Sequence, residues 1–359
     1  MFKKNSHLLI TGGTGSFGKA MIKKGLKLKN IGKISVLSRD EKKQEDIRNE
    51  FKSNKLNFIL CDIRDRENVF SSINDVDYIF HAAALKQVPS CEFNPMEAVK
   101  TNILGALNVI DASIRNNVKK IVLLSTDKAA YPINTLGCSK MLMEKIMFSK
   151  ATEKSKKSNT VICAIRYGNV LFSRGSVVPL FFKQLSENRP LTITDPNMTR
   201  FLISLSEAID LVLYALANGD NGDLFIRKSS AASILNIAKA CSLMLGKELN
   251  INYIGIREGE KMDETLATRE EVTKSEDRNT YLRIPHEQSK NFNKYFTEGN
   301  ASNAIKPFTS KNTTQLDIEE IIKNFNMIPE IQNIVSVSKH MTKLPLKISK
   351  SFSNSLFIN

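Results

Sequence analysis

The sequence contains no run of eighteen apolar residues, no closely spaced cysteine pair and no compact basic block interleaved with aromatics. The first absence excludes a conventional membrane-spanning helix, which takes about 20 consecutive apolar residues, so no stable membrane insertion is expected. The five cysteines (Cys61, Cys91, Cys138, Cys163, Cys241) are odd in number and scattered. That argues against a disulfide framework or a zinc site and leaves buried reduced thiols as their reading. The net charge of +15 is carried by dispersed lysines, so small anionic ligands explain it better than nucleic acid does. Acidic residues are missing altogether from 331 to 359, where Lys339, Lys343, Lys347 and Lys350 stand among serines; this reads as a basic tail, mobile or brushing a membrane at most. Nor does a cleavable hydrophobic segment precede the first strand: Met1-Phe2-Lys3-Lys4 leads straight into His7-Leu8-Leu9-Ile10-Thr11, and a cytoplasmic protein is expected.

What is present is a chain of 359 residues, 42% hydrophobic, able to bury a large core in two domains or in one domain with a lobe. Strand and helix patterns alternate from residue 7 to about 170, the mark of βαβ units and a parallel sheet. The strand candidates are 7–11, 33–38, 56–61, 76–80, 119–125 and 160–166. After residue 174 the pattern loosens into short elements up to about 282; a polar stretch (287–312) and an amphipathic segment (316–325) follow. The expected fold is α/β, a Rossmann-type doubly wound parallel sheet over 1–170 whose elements interleave beyond that point with a smaller C-terminal lobe over 171–330, before the tail at 331–359. Ligands of open α/β sheets bind outside the carboxyl ends of the strands, and substrates commonly in interlobe clefts.

Two stretches lie where such a sheet would present them. Gly12-Gly13-Thr14-Gly15-Ser16-Phe17-Gly18 follows the first strand and opens a helix. Glycines at 12, 15 and 18 permit a tight turn and close backbone approach, while the helix N-terminus offers free N–H groups to a pyrophosphate. At the end of the second strand stand Arg39, Asp40, Glu41, Lys42 and Lys43. A 2′-phosphate fits Arg39 with Lys42 or Lys43, which favours NADP, while Asp40 keeps NAD open. Asp62 and Ile63 would meet the adenine, and Ala82 and Ala83 give small residues where a cofactor lies against backbone. The second stretch is Ser125-Thr126-Asp127-Lys128-Ala129-Ala130-Tyr131-Pro132 with Gly137-Cys138-Ser139-Lys140, which puts a hydroxyl, an acid and an amine at the end of one buried strand.

Together with Ala83-Ala84-Leu85-Lys86-Gln87-Val88-Pro89, Arg166-Tyr167-Gly168-Asn169-Val170, Ser173-Arg174-Gly175-Ser176, Thr192-Ile193-Thr194-Asp195, Met198-Thr199-Arg200-Phe201 and Arg257-Glu258-Gly259-Glu260-Lys261, these blocks resemble the extended short-chain dehydrogenase/reductase superfamily. More narrowly, from about residue 6 to 330, they resemble the UDP-N-acetylglucosamine 4,6-dehydratases of surface-polysaccharide pathways, in the branch that inverts C5 toward N-acetyl-L-fucosamine. The resemblance implies NADP as a redox-neutral cofactor, Lys128 as base at C5, Asp127 as acid at the C6 oxygen, and Lys140 holding the nicotinamide ribose. It adds Ser125 and Lys86 to the cofactor contacts. The sugar nucleotide falls to Lys86, Asn169, Arg174, Thr192, Thr194, Arg200, Arg257 and Glu260, and a homo-oligomer, dimer to hexamer, is implied. The superfamily's Tyr-x-x-x-Lys pair is incomplete, because Leu136 stands four residues before Lys140. The C4 hydroxyl then needs another partner, Thr126 positioned by Lys140 first and Tyr131 second. A nucleotide-sugar 4-epimerase or 4-keto reductase, or a non-catalytic NADP-binding sensor, is the alternative.

Overall fold

Six strands take up the apolar runs of the first half: β1 (Ser6–Thr11), β2 (Ile31–Ser38), β3 (Leu56–Leu60), β4 (Tyr78–His81), β5 (Lys120–Leu124) and β6 (Val161–Arg166). The computed structural model describes residues 2–153, 158–173, 175–286 and 305–341. Every residue of β1 is buried, as expected of a central parallel strand covered on both faces. Helix α1 (Ser16–Lys27) follows β1 and α2 (Glu41–Phe51) follows β2; Asp40 caps α2 by accepting from the Lys43 N–H, the usual work of an aspartate at that position.

The chain forms two compact units. The first comprises Met1–Tyr167, Leu205–Lys228 and Thr265–Phe308, the second Gly168–Ser204, Ser229–Glu264 and Thr309–Asn359. In the first unit the strands run β3-β2-β1-β4-β5-β6, all parallel, which is the doubly wound Rossmann order. The sheet continues through Leu224–Arg227, parallel to β6, and then Tyr281–Ile284 and Glu276–Arg278, both antiparallel. Ile10, Val36, Phe80, Val122 and Ile165 fill its core. The reversal of strand order between β1 and β4 sets the carboxyl ends of both beside one another, at the place where such sheets bind ligands.

The second unit holds a three-stranded sheet (Ala231–Ser233, Thr199–Ile203, Asn169–Val170) and a two-stranded one (Ile251–Tyr253, Leu191–Ile193). Its core includes Phe181, Phe182, Ile237 and Phe325. The amphipathic segment at 316–325 forms the helix Ile318–Asn326. The opening of the basic tail is a helix too, Pro329–Met341, with Ile331 and Ile334 buried; an apolar pair one helical turn apart holds this part against the core of its unit. The rest of the tail, 342–359, lies outside the described residues. Among the described residues no helix is long and apolar enough to cross a membrane.

Candidate active site

The glycine loop is built for close approach. Gly12 has φ +64, and a Cβ there would sit 2.7 Å from the backbone N and Cα of Ala83, so this turn admits no side chain. Gly18 would meet the Gly13 backbone at 2.3 Å. Gly15 differs: among the described residues a Cβ there meets only the Gly12 carbonyl, at 3.4 Å, which leaves an open cradle over the start of α1. Gly15 is the N-cap, no side chain among the described residues caps the helix, and its first turn carries no acid. The N–H groups around Ser16 and Phe17 are thus presented to an anion. An orphaned helix start behind a cradle that a Cβ would fill fits the pyrophosphate of a dinucleotide. Thr14 shares a hydrogen bond of 2.8 Å with Ser38 and ties the loop to the end of β2.

Beyond β2 the basic residues divide. Lys42 pairs with Asp46 at 2.6 Å and Lys43 with Asp40. Hydrogen bonding from the Lys43 side chain, then from its backbone, holds the Asp40 carboxyl below the usual aspartate range. Arg39 reaches Asp62 only at 3.5 Å and is half exposed, so it is the cation of the three with the weakest internal partner. Asp62 is gripped by Arg64 at 2.6 Å; burial pushes its carboxyl up, but the Arg64 hydrogen bonds leave it lowered on balance. Ile63 is buried in the core. Ala82 and Ala83 are held by β1, through the Thr11 carbonyl (3.2 Å) and hydroxyl (3.3 Å). His81 is wholly buried against the Thr11 hydroxyl (2.8 Å), and burial, then the charge of Lys140, lowers it to about 3, a neutral structural imidazole. Lys86 is exposed in the loop after β4.

At the end of β5 the chain turns through a short 3-10 segment, Asp127–Ala129. The Asp127 N–H donates to the Tyr167 carbonyl (3.1 Å) and the Ser125 N–H to the Ile165 carbonyl (2.8 Å). The Thr126 hydroxyl donates to Asp127 Oδ1 (2.8 Å), and Lys128 Nζ lies 3.2 Å from the same oxygen. Asp127 is buried and Lys128 is mostly so. Gly137 is what lets the helix Thr135–Glu153 pass this turn: a Cβ there would stand 2.3 Å from the Lys128 carbonyl. Lys140 is buried on that helix and donates to the Leu124 carbonyl (2.7 Å); burial lowers its ammonium to about 8, against the raising pull of Glu144 and Cys91. The structure therefore joins Thr126 to Asp127, where the sequence suggests a link to Lys140.

Two further expectations meet a different arrangement. Tyr131 has φ +46 and is half exposed; its hydroxyl donates to Glu270 (3.1 Å) and accepts from the Arg269 N–H (3.0 Å), so it has internal partners on both counts. Ser125 donates its hydroxyl to buried Glu144. Leu136 is no gap in the wall: it is packed with Cys91, Ala98, Leu85 and Val88.

In the second unit Arg200, Arg257 and Glu260 come together. Glu260 bonds Arg257 at 3.1 Å and Arg200 at 3.4 Å, and the buried Arg200 also donates to the carbonyls of Thr199 (2.7 Å) and Met262 (3.1 Å). Asn169 Oδ1 is buried with no hydrogen-bond partner among the described residues, an orphan acceptor of the kind that ligands or water satisfy. Thr192 accepts from Gln184 (3.0 Å) and Thr194 donates to the Met198 sulfur (3.3 Å), so both hydroxyls have internal work. Arg174 lies outside the described residues.

Three polar groups to which the sequence analysis gives no role turn out to support the site. Arg166 is buried between Glu144 (2.7 Å) and Glu271 (2.7 Å). Asn102, inside the π-helical stretch Val99–Gly105, bonds both backbone groups of Leu85 (2.8 and 3.1 Å) and Ser139 (3.0 Å). Tyr167 packs against Phe17 with the rings tilted by 38° and their centroids 4.9 Å apart, and burial, then the Asp127 carboxylate, pushes its hydroxyl well up. A signal for the first exists in the chain, since Glu144 falls four residues after Lys140 amid the apolar neighbours Met141, Leu142, Met143 and Met147, where a carboxylate must have a partner.

Among known proteins, the family model for polysaccharide biosynthesis proteins matches residues 8–286, and the model for the C-terminal part of polysaccharide biosynthesis proteins matches residues 288–332. A protein named UDP-glucose 4-epimerase from Rickettsia bellii (strain OSU 85-389) is 51% identical over 319 residues, 88% of this chain and 93% of that protein. The X-ray structure of Pen from Bacillus thuringiensis superposes with a TM-score of 0.83 at 35% identity, covering 91% of this chain and 100% of that one. DesIV, a dTDP-glucose 4,6-dehydratase from Streptomyces venezuelae with NAD and TYD bound, gives 0.64 at 18% identity over 71% of this chain and 86% of its own, a likeness of fold alone. The chain belongs to the polysaccharide biosynthesis protein family.

Proposed function

We propose that the protein is a nucleotide-sugar 4,6-dehydratase that acts on UDP-N-acetylglucosamine with NADP and inverts C5. The observation that carries this reading is the Lys128 amine 3.2 Å from the buried Asp127 carboxylate at the end of β5. A base at C5 and an acid at the C6 oxygen are what elimination of water across C5 and C6 requires, whereas a simple 4-epimerisation needs proton transfer only at the C4 oxygen. A bound nicotinamide dinucleotide would supply reversible hydride uptake from the sugar. Once C4 is a ketone, the C5–H is acidic, and Lys128 with an unprotonated amine takes that proton. Thr126 donates to Asp127 at 2.8 Å, so a proton leaving the C4 hydroxyl has a route through Thr126 to Asp127. The carboxyl protonated in this way gives its proton to the C6 oxygen as water departs. The proton lost from O4 thus leaves in the water, and C5 is reprotonated when C6 is reduced. A solvent proton added to the opposite face of C5 inverts it, while Lys128 returns the proton it took to solvent; C3–H is also alpha to the ketone, which opens a C3 epimerisation. Arg200, Arg257, Glu260 and Asn169 are the residues proposed for the uridine diphosphate and sugar.

The second reading is a 4-epimerase, favoured by the name of the Rickettsia bellii relative. Against it stands Leu136, buried in an apolar cluster where the superfamily's tyrosine would take the C4 proton. Proton NMR of the protein with NADP and UDP-N-acetylglucosamine in D2O separates the two. A 6-deoxy-4-keto product with deuterium at C5 and L configuration is expected; a C4 epimer without a new C6 methyl signal would sink the dehydratase.

Two predictions concern the cofactor. Arg39→Ala should lower the preference for NADP over NAD by about 10- to 100-fold, the worth of one charge-assisted hydrogen bond, as read by paired binding titrations. Lys42→Ala should matter less, because Asp46 already holds that ammonium. Lys140, with its ammonium lowered to about 8, is charged below that pH and neutral above it. Cofactor affinity should therefore weaken as pH rises through about 8, and a Lys140→Met variant should bind weakly at every pH with no such step.

A further inference from the structure

We propose that the short helix Arg269–Thr273 is the brace that holds the 125–131 turn in register, gripping it through Glu271 at one end and Tyr131 at the other; this rests on the assignment of Asp127 and Lys128 to the reaction. Two ties converge on adjacent residues of that helix. Glu271 binds Arg166 through both carboxylate oxygens (2.7 and 2.8 Å). Arg166 in turn binds Glu144, which accepts the Ser125 hydroxyl, and the next residue, Tyr167, accepts the Asp127 N–H through its carbonyl. At the other end the Tyr131 hydroxyl donates to Glu270 (3.1 Å) and accepts from the Arg269 N–H (3.0 Å).

Independent support comes from the backbone. Tyr131 has φ +46, a left-handed conformation unusual for a bulky residue, which persists only where the surroundings over-determine it. The brace is itself locked: Thr268 and Glu271 form a reciprocal capping box, so the carboxylate that grips Arg166 also closes the helix start. Tyr131 and Glu271 are positioning residues, since neither needs to touch a reacting atom.

The test uses the full chain and two variants, Tyr131→Phe and Glu271→Gln, read by hydrogen exchange and by kinetics. Tyr131→Phe removes one hydroxyl from a half-exposed residue and keeps the ring, so the fold should survive it. Exchange of the Asp127, Ala129 and Ala130 amides should rise about three- to tenfold, the worth of one or two hydrogen bonds, with β1 and β4 unchanged. The turnover number for UDP-N-acetylglucosamine should fall by a similar factor at constant KM. Unchanged exchange in both variants overturns the brace; unchanged exchange with lost turnover in Tyr131→Phe does so as well, and makes that hydroxyl a direct participant. Exchange needs no substrate, so a wild type inactive on UDP-N-acetylglucosamine refutes the proposed reaction while the brace is still decided.

Discussion

Lys128→Ala is expected to lower formation of the 6-deoxy-4-keto sugar by about 10²- to 10⁴-fold, the usual worth of a positioned base, without weakening cofactor binding. The alanine removes the amine that would take the C5 proton and leaves Thr126 and Asp127 in contact. Oxidation at C4 can then proceed while elimination cannot, so reduced nicotinamide should accumulate on mixing with substrate, visible in its absorbance. Normal turnover by this variant would remove Lys128 from the mechanism. Rapid C4 epimer exchange without any methyl product would favour the epimerase instead.

Arg166→Ala should be the most destabilising single change proposed for this chain. Arg166 is 3% exposed and lies between Glu144 at 2% and Glu271 at 18%. Removing the cation leaves buried carboxylates without their partner, and breaking a buried pair in this way costs about 3–5 kcal/mol. Urea unfolding at neutral pH measures the loss, and a stability within error of wild type would show that the carboxylates are solvated after all. The pH dependence carries the sign. Burial pushes the Glu271 carboxyl up, yet Arg166 brings it below the ordinary glutamate range. In the wild type this pair therefore stabilises the fold above the unfolded glutamate value, about 4.3, and the contribution is lost as pH falls through the lower folded value. In Arg166→Ala the burial of Glu271 is opposed only by the Thr268 N–H bond and the charge of Lys145, so Glu271 protonates more readily in the folded state than in the wild type, and the deficit against wild type should shrink on acidification.

Residues near one another in the chain make the frame legible. β1 to β6 fall within two residues of the apolar runs that announce them; for central strands such as β1 and β4, every residue of which is buried, a strand covered on both faces can be little but apolar. The Gly12 to Gly18 loop is legible for the same local reason, with glycine demanded by φ and by the backbone of Ala83. The partners of charged groups are not legible. Lys42 and Lys43 look available for a phosphate, yet carboxylates three or four residues away hold both. Glu271 finds Arg166 across 105 residues, a separation that no periodicity records. Tyr131 follows Asp127 and Lys128 closely in the chain and so reads as a candidate beside them; its backbone is left-handed and its hydroxyl bonds the 269–273 helix instead.

The two units each take three separated segments of chain, and this sets an order on synthesis. When the first 170 residues have been made, β6 is the last strand of the sheet, with one edge still waiting for Leu224–Arg227. A buried parallel strand with an open edge is a template for pairing with other chains, so a fragment cut at that point should aggregate and would be a poor choice for expressing the dinucleotide fold alone. The pair Asp127 and Lys128 is translated early, but Glu271 arrives more than a hundred residues later. A nascent chain carries the groups of the proposed reaction well before it carries what holds them in register.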